Sequence, residues 1–157
     1  NGLHAPLGVY AVYGNHDYFD SDVGELARLL PAVRFLADEQ SPIGRNIVLT
    51  GMSDYIHYPN HAMPAVDASA FNIAVDHEPL RMAPAARQGY DLYLAGHTHG
   101  GQFFPENVVT RRMYTLCYGV RRFGRLLAVV TSGYGFWGTP FRTGPRPEIV
   151  VLHIHRT

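Results

Sequence analysis

Apolar positions along the chain fall into short runs, broken by glycine, proline and polar clusters, and the runs follow two different periods. Gly8-Val9-Tyr10-Ala11-Val12-Tyr13 is dense in β-formers and stops at Gly14, which predicts a strand. From Asp22 to Leu30 the spacing is helical: Leu26, Leu29 and Leu30 make one stripe, Ser21 or Asp22 caps, Glu25 sits in the first turn and Pro31 ends it. Val33 to Leu36 and Ile47 to Thr50 predict two short strands. Ser53 to Ser69 carries Pro59 and Pro64 without a clean period, and reads as loop with room for a short helix. Phe71 to Val75 predicts a buried strand, Arg81 to Gln88 a short helix closed by Gly89, and Asp91 to Ala95 another strand. Leu126 to Thr131 and Glu148 to Ile154 complete the strands. Strands interleaved with helical pieces predict an α/β layered fold with a mixed sheet.

Composition narrows the classes. With 46% hydrophobic and 17% charged residues, the 157-residue chain reads as folded and globular. Its 13 basic residues, all arginine, balance 13 acidic ones, so no broad cationic field exists and no specific nucleic-acid partner is expected. No apolar run approaches the ~20 residues that span a bilayer. A single cysteine, Cys117, excludes an internal disulfide framework and a cysteine-based zinc site. The 9 histidines stand out and call for a search for ligands.

Three predicted strands end in polar clusters of one kind. The first runs into Gly14-Asn15-His16-Asp17, the strand at Phe71 into Asp76-His77-Glu78-Pro79, and the strand at Asp91 into Gly96-His97-Thr98-His99-Gly100-Gly101-Gln102. Ligands of open α/β sheets bind outside the carboxyl ends of strands, so three such clusters can converge on one site. His97 and His99 are two apart, which in extended backbone points them the same way. Imidazole, amide and carboxylate donors without thiolate suit Mn, Fe, Zn or Co. The other histidines read as bland: His4, His57 and His61 as isolated positions, His153 and His155 as one half-exposed strand face. Asp76 and Glu78 read as solvated loop charges, with a ligand role as the lesser alternative, and Asp20, Asp22 and Asp38 as caps and turn residues. The aromatics Phe103, Phe104, Tyr134, Phe136, Trp137 and Phe141 read as packed under loops, with contact to a lipid or a hydrophobic leaving group as the functional alternative. Arg142 and Arg146 read as phosphate holders or as surface ion pairs.

In order and strand context, Gly14-Asn15-His16-Asp17, His77 and Gly96-His97-Thr98-His99 resemble the last three of five signature blocks of the calcineurin-like metallophosphoesterases. Gly96 to Gln102 as a whole, with Arg146-Pro147-Glu148-Ile149, resembles a branch of bacterial, often membrane-associated phosphohydrolases, including hydrolases of a UDP-diacylglucosamine lipid precursor. The resemblance implies a layered α/β/β/α fold with mixed sheets. It implies two divalent metal ions, with Asn15, His77 and His97 on one and His99 on the other. His16 would protonate the leaving oxygen or stabilise the transition state, and Asp17 would orient it. The implied activity is hydrolysis of a phosphodiester, phosphomonoester or pyrophosphate bond by a metal-activated hydroxide. The implied substrate is small and phosphorylated, lipid-linked or nucleotide-linked, and the location cytoplasmic or peripheral on a membrane.

The family's first two blocks, Asp-x-His and Gly-Asp, have no match in Asn1 to Tyr13. The matched donors are neutral, so the carboxylates that would balance two cations are owed from elsewhere. Residues 1–157 are therefore expected to be the C-terminal part of one metallophosphoesterase domain, lacking an N-terminal β-α-β part that also would carry any membrane anchor. The alternative is a non-catalytic metal-binding or interaction fragment that retains half of a site.

Overall fold

The computed structural model describes residues 2, 4–19 and 22–155. Asp20 and Ser21, read above as turn and cap, lie outside the described residues. Strand β1 (Val9–Ala11) leads through Gly14 into a 3-10 turn over Asn15–Tyr18. Helix α1 (Val23–Leu29) follows, capped by Asp22, whose carboxylate accepts the Gly24 N–H at 2.9 Å. Strand β2 (Val33–Phe35) then pairs in parallel with β1 as a two-stranded sheet. The α1 stripe is not buried: Leu29 is 68% exposed.

The remaining strands build a six-stranded mixed sheet in the order β3-β4-β5-β6-β8-β7. They are β3 (Glu39–Ile43), β4 (Ile47–Gly51), β5 (Phe71–Val75), β6 (Leu92–Ala95), β7 (Gly119–Phe123) and β8 (Leu126–Val130). β4, β5, β6 and β8 run parallel, while the outer strands β3 and β7 are antiparallel to their neighbours. Helix α2 (Met82–Gln88) ends on Gly89, which takes the left-handed conformation (φ 94°) of a C-terminal cap. Helix α3 (Glu106–Met113) follows the second histidine motif.

Alternation along the strands sorts the core into two faces. Along β8, Leu126, Ala128 and Val130 join Met52, Ala74, Tyr90, Tyr93, Met82 and Ala85 on the face covered by α2. Val129 joins Leu36, Leu49, Ile73 and Leu92 on the opposite face, against Tyr10 of β1. Burying each of these larger side chains stabilises the fold by roughly 1.5–3 kcal/mol. This two-sheet, helix-covered α/β architecture is the one the resemblance implies.

Several expectations are corrected. Glu148–Ile154 forms no ladder among the described residues, and Ile149 and Val151 are 80% and 72% exposed. Its alternating pattern encodes extended backbone, but a ladder also needs an adjacent edge. Ser53 to Ser69 contains turns and no helix. β3, β7 and α3 were not predicted. Pro42 argues against a strand, yet β3 lies at a sheet edge, where proline is tolerated. β7 is the other edge, with exposed Arg121 and Arg122. α3 carries Val108, Val109 and Thr110, which are β-branched and hide its helical period.

Candidate metal centre

The carboxyl ends of β1, β5 and β6 come together as the strand topology requires. His77 follows β5, His97 follows β6, and Asn15 begins the turn after β1. Three donor atoms meet there. Asn15 Oδ1 lies 3.0 Å from His77 Nε2 and 3.2 Å from His97 Nδ1, and the two nitrogens are 3.1 Å apart. Ordinary hydrogen bonding cannot satisfy this triangle, because an amide oxygen only accepts and a neutral imidazole has one N–H. Ligands at about 2.1 Å from a cation lie about 3.0 Å apart when cis in an octahedron. The three edges match that spacing, so these residues fit a divalent metal.

Local structure prepares each donor. A Cβ on Gly14 would lie 2.6 Å from the His77 ring, so only glycine lets the ring rest against this backbone. Asp17 Oδ2 accepts the Gly14 N–H at 2.7 Å, which closes the 3-10 turn; its recorded bond is to this backbone rather than to His16. His97 and His99 are not extended, as the two-residue spacing had suggested. Both adopt left-handed backbone, with φ 65° and 49°. That conformation is unfavourable by about 1–2 kcal/mol for a residue with a Cβ. It is held by short-range bonds, Thr98 N–H to Gly96 O at 2.7 Å and Gly101 N–H to Thr98 O at 2.8 Å.

His16, His99 and the triad line one cavity of about 300 Å³, whose other walls include Gln102, Met113, Tyr114 and Trp137. His99 stands outside the triad, with Arg142 Nη2 3.3 Å from its Nδ1. Among the described residues, Arg142 makes no carboxylate pair. It donates to the carbonyl oxygens of Ser132, Gly135 and His99 and knits the surrounding loops. Arg146 is exposed, and its carbonyl accepts the Ser132 hydroxyl. Burial holds the imidazoles neutral: it is the largest cause that pushes His77 down to about 4 and lowers His97 and His99. Neutral rings offer the lone pairs a cation needs.

Asp76 and Glu78 are not solvated charges. Asp76 is 3% exposed, pairs with Arg81 at 3.0 Å and accepts the Tyr93 hydroxyl at 2.7 Å. Glu78 is fully buried, accepts the Tyr55 N–H at 2.9 Å, and brings Oε1 within 3.9 Å of His97 Nδ1. Burial and a hydrogen bond with Asp54 push its carboxyl up to about 8. Glu78 thus joins His77 and His97 in a cluster able to hold a metal, the lesser of its two sequence readings. Its signal was its position between a strand end and Pro79.

The remaining histidines lie elsewhere. His57 and His61 pair with Asp54 and Asp38 at 2.6 and 2.5 Å, and His153 stacks near His155 at 6.4 Å. The loop aromatics are more open than expected, with Phe104 and Tyr134 at 72% and 76% exposure. Among the described residues, no helix is long and apolar enough to cross a membrane.

No family profile matches the chain, and no solved structure matches it. Curated proteins do. A transmembrane protein with metallophosphoesterase domain from Bos taurus is 33% identical over 174 aligned positions, covering 96% of this chain and 39% of that protein. An uncharacterized metallophosphoesterase of Aquifex aeolicus is 31% identical, covering 97% of this chain and 62% of its own length. Another, from Campylobacter jejuni, is 29% identical, covering 98% and 44%. The chain spans about 39–62% of these three relatives, which come from bacteria and a vertebrate alike. Along nearly its whole length, then, the chain is similar to the C-terminal part of proteins named metallophosphoesterases, and the matched stretch includes the donor triangle at three strand ends.

Proposed function

We propose that the protein is a metal-dependent phosphoesterase whose catalytic centre includes the Asn15, His77 and His97 triangle. The single observation that carries this reading is the set of three mutual distances of 3.0–3.2 Å between donors from three separate strand ends. Asn15, His77 and His97 hold one divalent ion, and His99 holds a second beside it. Bound there, such ions lower the pKa of a water and neutralise phosphoryl oxygens. Mn, Fe, Zn and Co all suit this donor set.

The chain's own residues supply the rest. His16 shares the cavity with the triangle and acts as general acid toward the leaving oxygen, since an imidazole's pKa lies near neutrality. Asp17 holds the turn that carries His16. The substrate is a small phosphorylated molecule, lipid-linked or nucleotide-linked, and the protein acts in the cytoplasm or at a membrane surface.

The test is hydrolysis of a chromogenic phosphodiester by the intact protein with added Mn, comparing wild type with His16→Ala and His97→Ala. A loss of about 10²–10⁴-fold in kcat is expected for His16→Ala, and loss of metal as well for His97→Ala. Unchanged rates in both variants would sink the assignment.

A further inference from the structure

Gly100, Gly101 and Gln102, directly after His99, have a shared structural task. A Cβ on Gly100 would lie 2.6 Å from Pro145 Cγ, and one on Gly101 only 2.3 Å from Asn107 Cα. Both glycines also have positive φ, 63° and 66°. The backbone is therefore pressed against the 137–145 loop on one side and α3 on the other. Gln102 completes the junction. It is 1% exposed, and its side-chain oxygen accepts the Trp137 N–H at 2.8 Å. Its amide nitrogen donates to the carbonyl oxygens of Trp137 and Thr139, both at 2.9 Å. Its main-chain carbonyl accepts the N–H groups of Thr143 and Gly144, both at 3.0 Å. Five hydrogen bonds from one residue fix the loop to the segment that carries His97 and His99.

That loop delivers Trp137 to the cavity. The cavity is lined by polar donors, Asn15, His77, His97 and the neighbouring histidines, together with Met113, Tyr114 and Trp137, so donor groups and apolar or aromatic ones share one wall. The Tyr114 ring lies 6.2 Å from that of His97. Trp137 stays 49% exposed although its backbone is clamped on both sides. An aromatic side chain anchored so firmly yet left half open is suited to a ligand that completes its burial.

We propose that Trp137 is a specificity-determining residue that takes the apolar part of the leaving group of the phosphoester, and that Gln102 is the positioning residue for Trp137. The inference rests on the phosphoesterase reading and adds the chemistry of the leaving group. Phosphate against the histidines and an apolar group against Trp137 share one cavity.

Two non-hydrolysable probes separate the two contributions: methylphosphonate offers the phosphonate with almost no apolar group, and phenylphosphonate adds an apolar ring. Mn-loaded wild-type protein is titrated calorimetrically with each, alongside Trp137→Ala, Gln102→Ala and the near-isosteric Gln102→Glu, which sets a carboxylate against two carbonyl oxygens. Wild type is expected to prefer phenylphosphonate about tenfold. All three variants are expected to reduce that preference to about two- to threefold. Trp137 is the chain's one tryptophan, so its emission gives a second readout. Phenylphosphonate should quench it in wild type, and both Gln102 variants should raise its acrylamide quenching about twofold. Equal binding of the two probes to wild type, or a preference that survives Trp137→Ala, overturns this inference and leaves the phosphoesterase reading standing. Unchanged acrylamide quenching in both Gln102 variants overturns the role of Gln102. Failure of both probes to bind wild type overturns both readings.

Discussion

His77 Nε2 and His97 Nδ1 face each other at 3.1 Å from the ends of two neighbouring parallel strands. A hydrogen bond between them would leave the third contact, to Asn15 Oδ1, unsatisfied, whereas a shared cation takes a lone pair from all three. His97→Ala is expected to weaken Mn binding at least a hundredfold, measured by calorimetry. Asn15→Asp, which adds a negative charge at the same distance, is expected to tighten it. Metal affinity indifferent to both changes would remove the triangle from the metal site.

Gly14 has no room for a side chain. Gly14→Ala puts a methyl into the space of the His77 ring. Metal affinity should fall about 10–100-fold, as when a ligand's support is disturbed. Gly44, where an added Cβ meets nothing within 4 Å, marks the contrast: its φ of 61° strains a substitution there, but the metal site should not notice it. Equal metal affinity in the Gly14 and Gly44 alanine variants would show that His77 needs no such support.

The convergence on one site was legible in the sequence because glycine, histidine and asparagine followed β-rich runs at three places. The positions of β5, β6 and β8 were legible because each is a short run rich in apolar residues, interrupted only by Asn72 in β5, and largely buried on both faces. What the sequence did not disclose is set by neighbours distant in the chain. Glu78 and Asp76 look like surface charges until Arg81, Tyr93 and Tyr55 are brought to them. The left-handed backbone of His97 and His99 depends on tight turns that residue spacing does not encode. The apolar alternation of Glu148–Ile154 names a conformation, not a pairing partner.

Asp38 links acid sensitivity to one junction. Burial raises its pKa, but bonds from the Ser53 hydroxyl and N–H, with His61, outweigh burial and hold the carboxyl below its ordinary value. The unfolded chain therefore takes up this proton first on acidification. The stability contributed by ionised Asp38 is complete above about pH 4 and is lost as pH falls through the lower folded-state value. Asp38→Asn should remove that part of the acid slope, read from urea unfolding between about pH 2 and 5. An identical slope in the variant would dismiss the junction as a source of acid stability.

Arg81 is expected to dominate the stability of the loop after β4. It is 3% exposed, pairs with Asp76, and donates to the carbonyl oxygens of Ser53 and Tyr58. Removing it strands a buried carboxylate. Arg81→Ala should lower unfolding free energy by about 3–5 kcal/mol, measured by urea denaturation. Restoring neutrality with Asp76→Asn in the same chain should recover part of the loss. A loss below about 1 kcal/mol would mean that the pair is open to water.

The donor triangle joins residues 15, 77 and 97, with up to 82 positions between partners. Such a site has no counterpart in a partly folded chain, because loop closure across that span has to come first. Metal therefore recognises the finished topology and is a poor nucleus for folding. Added Mn should slow unfolding and leave the refolding rate unchanged, so the ion acts as a lock on a structure that the apolar strands have already assembled.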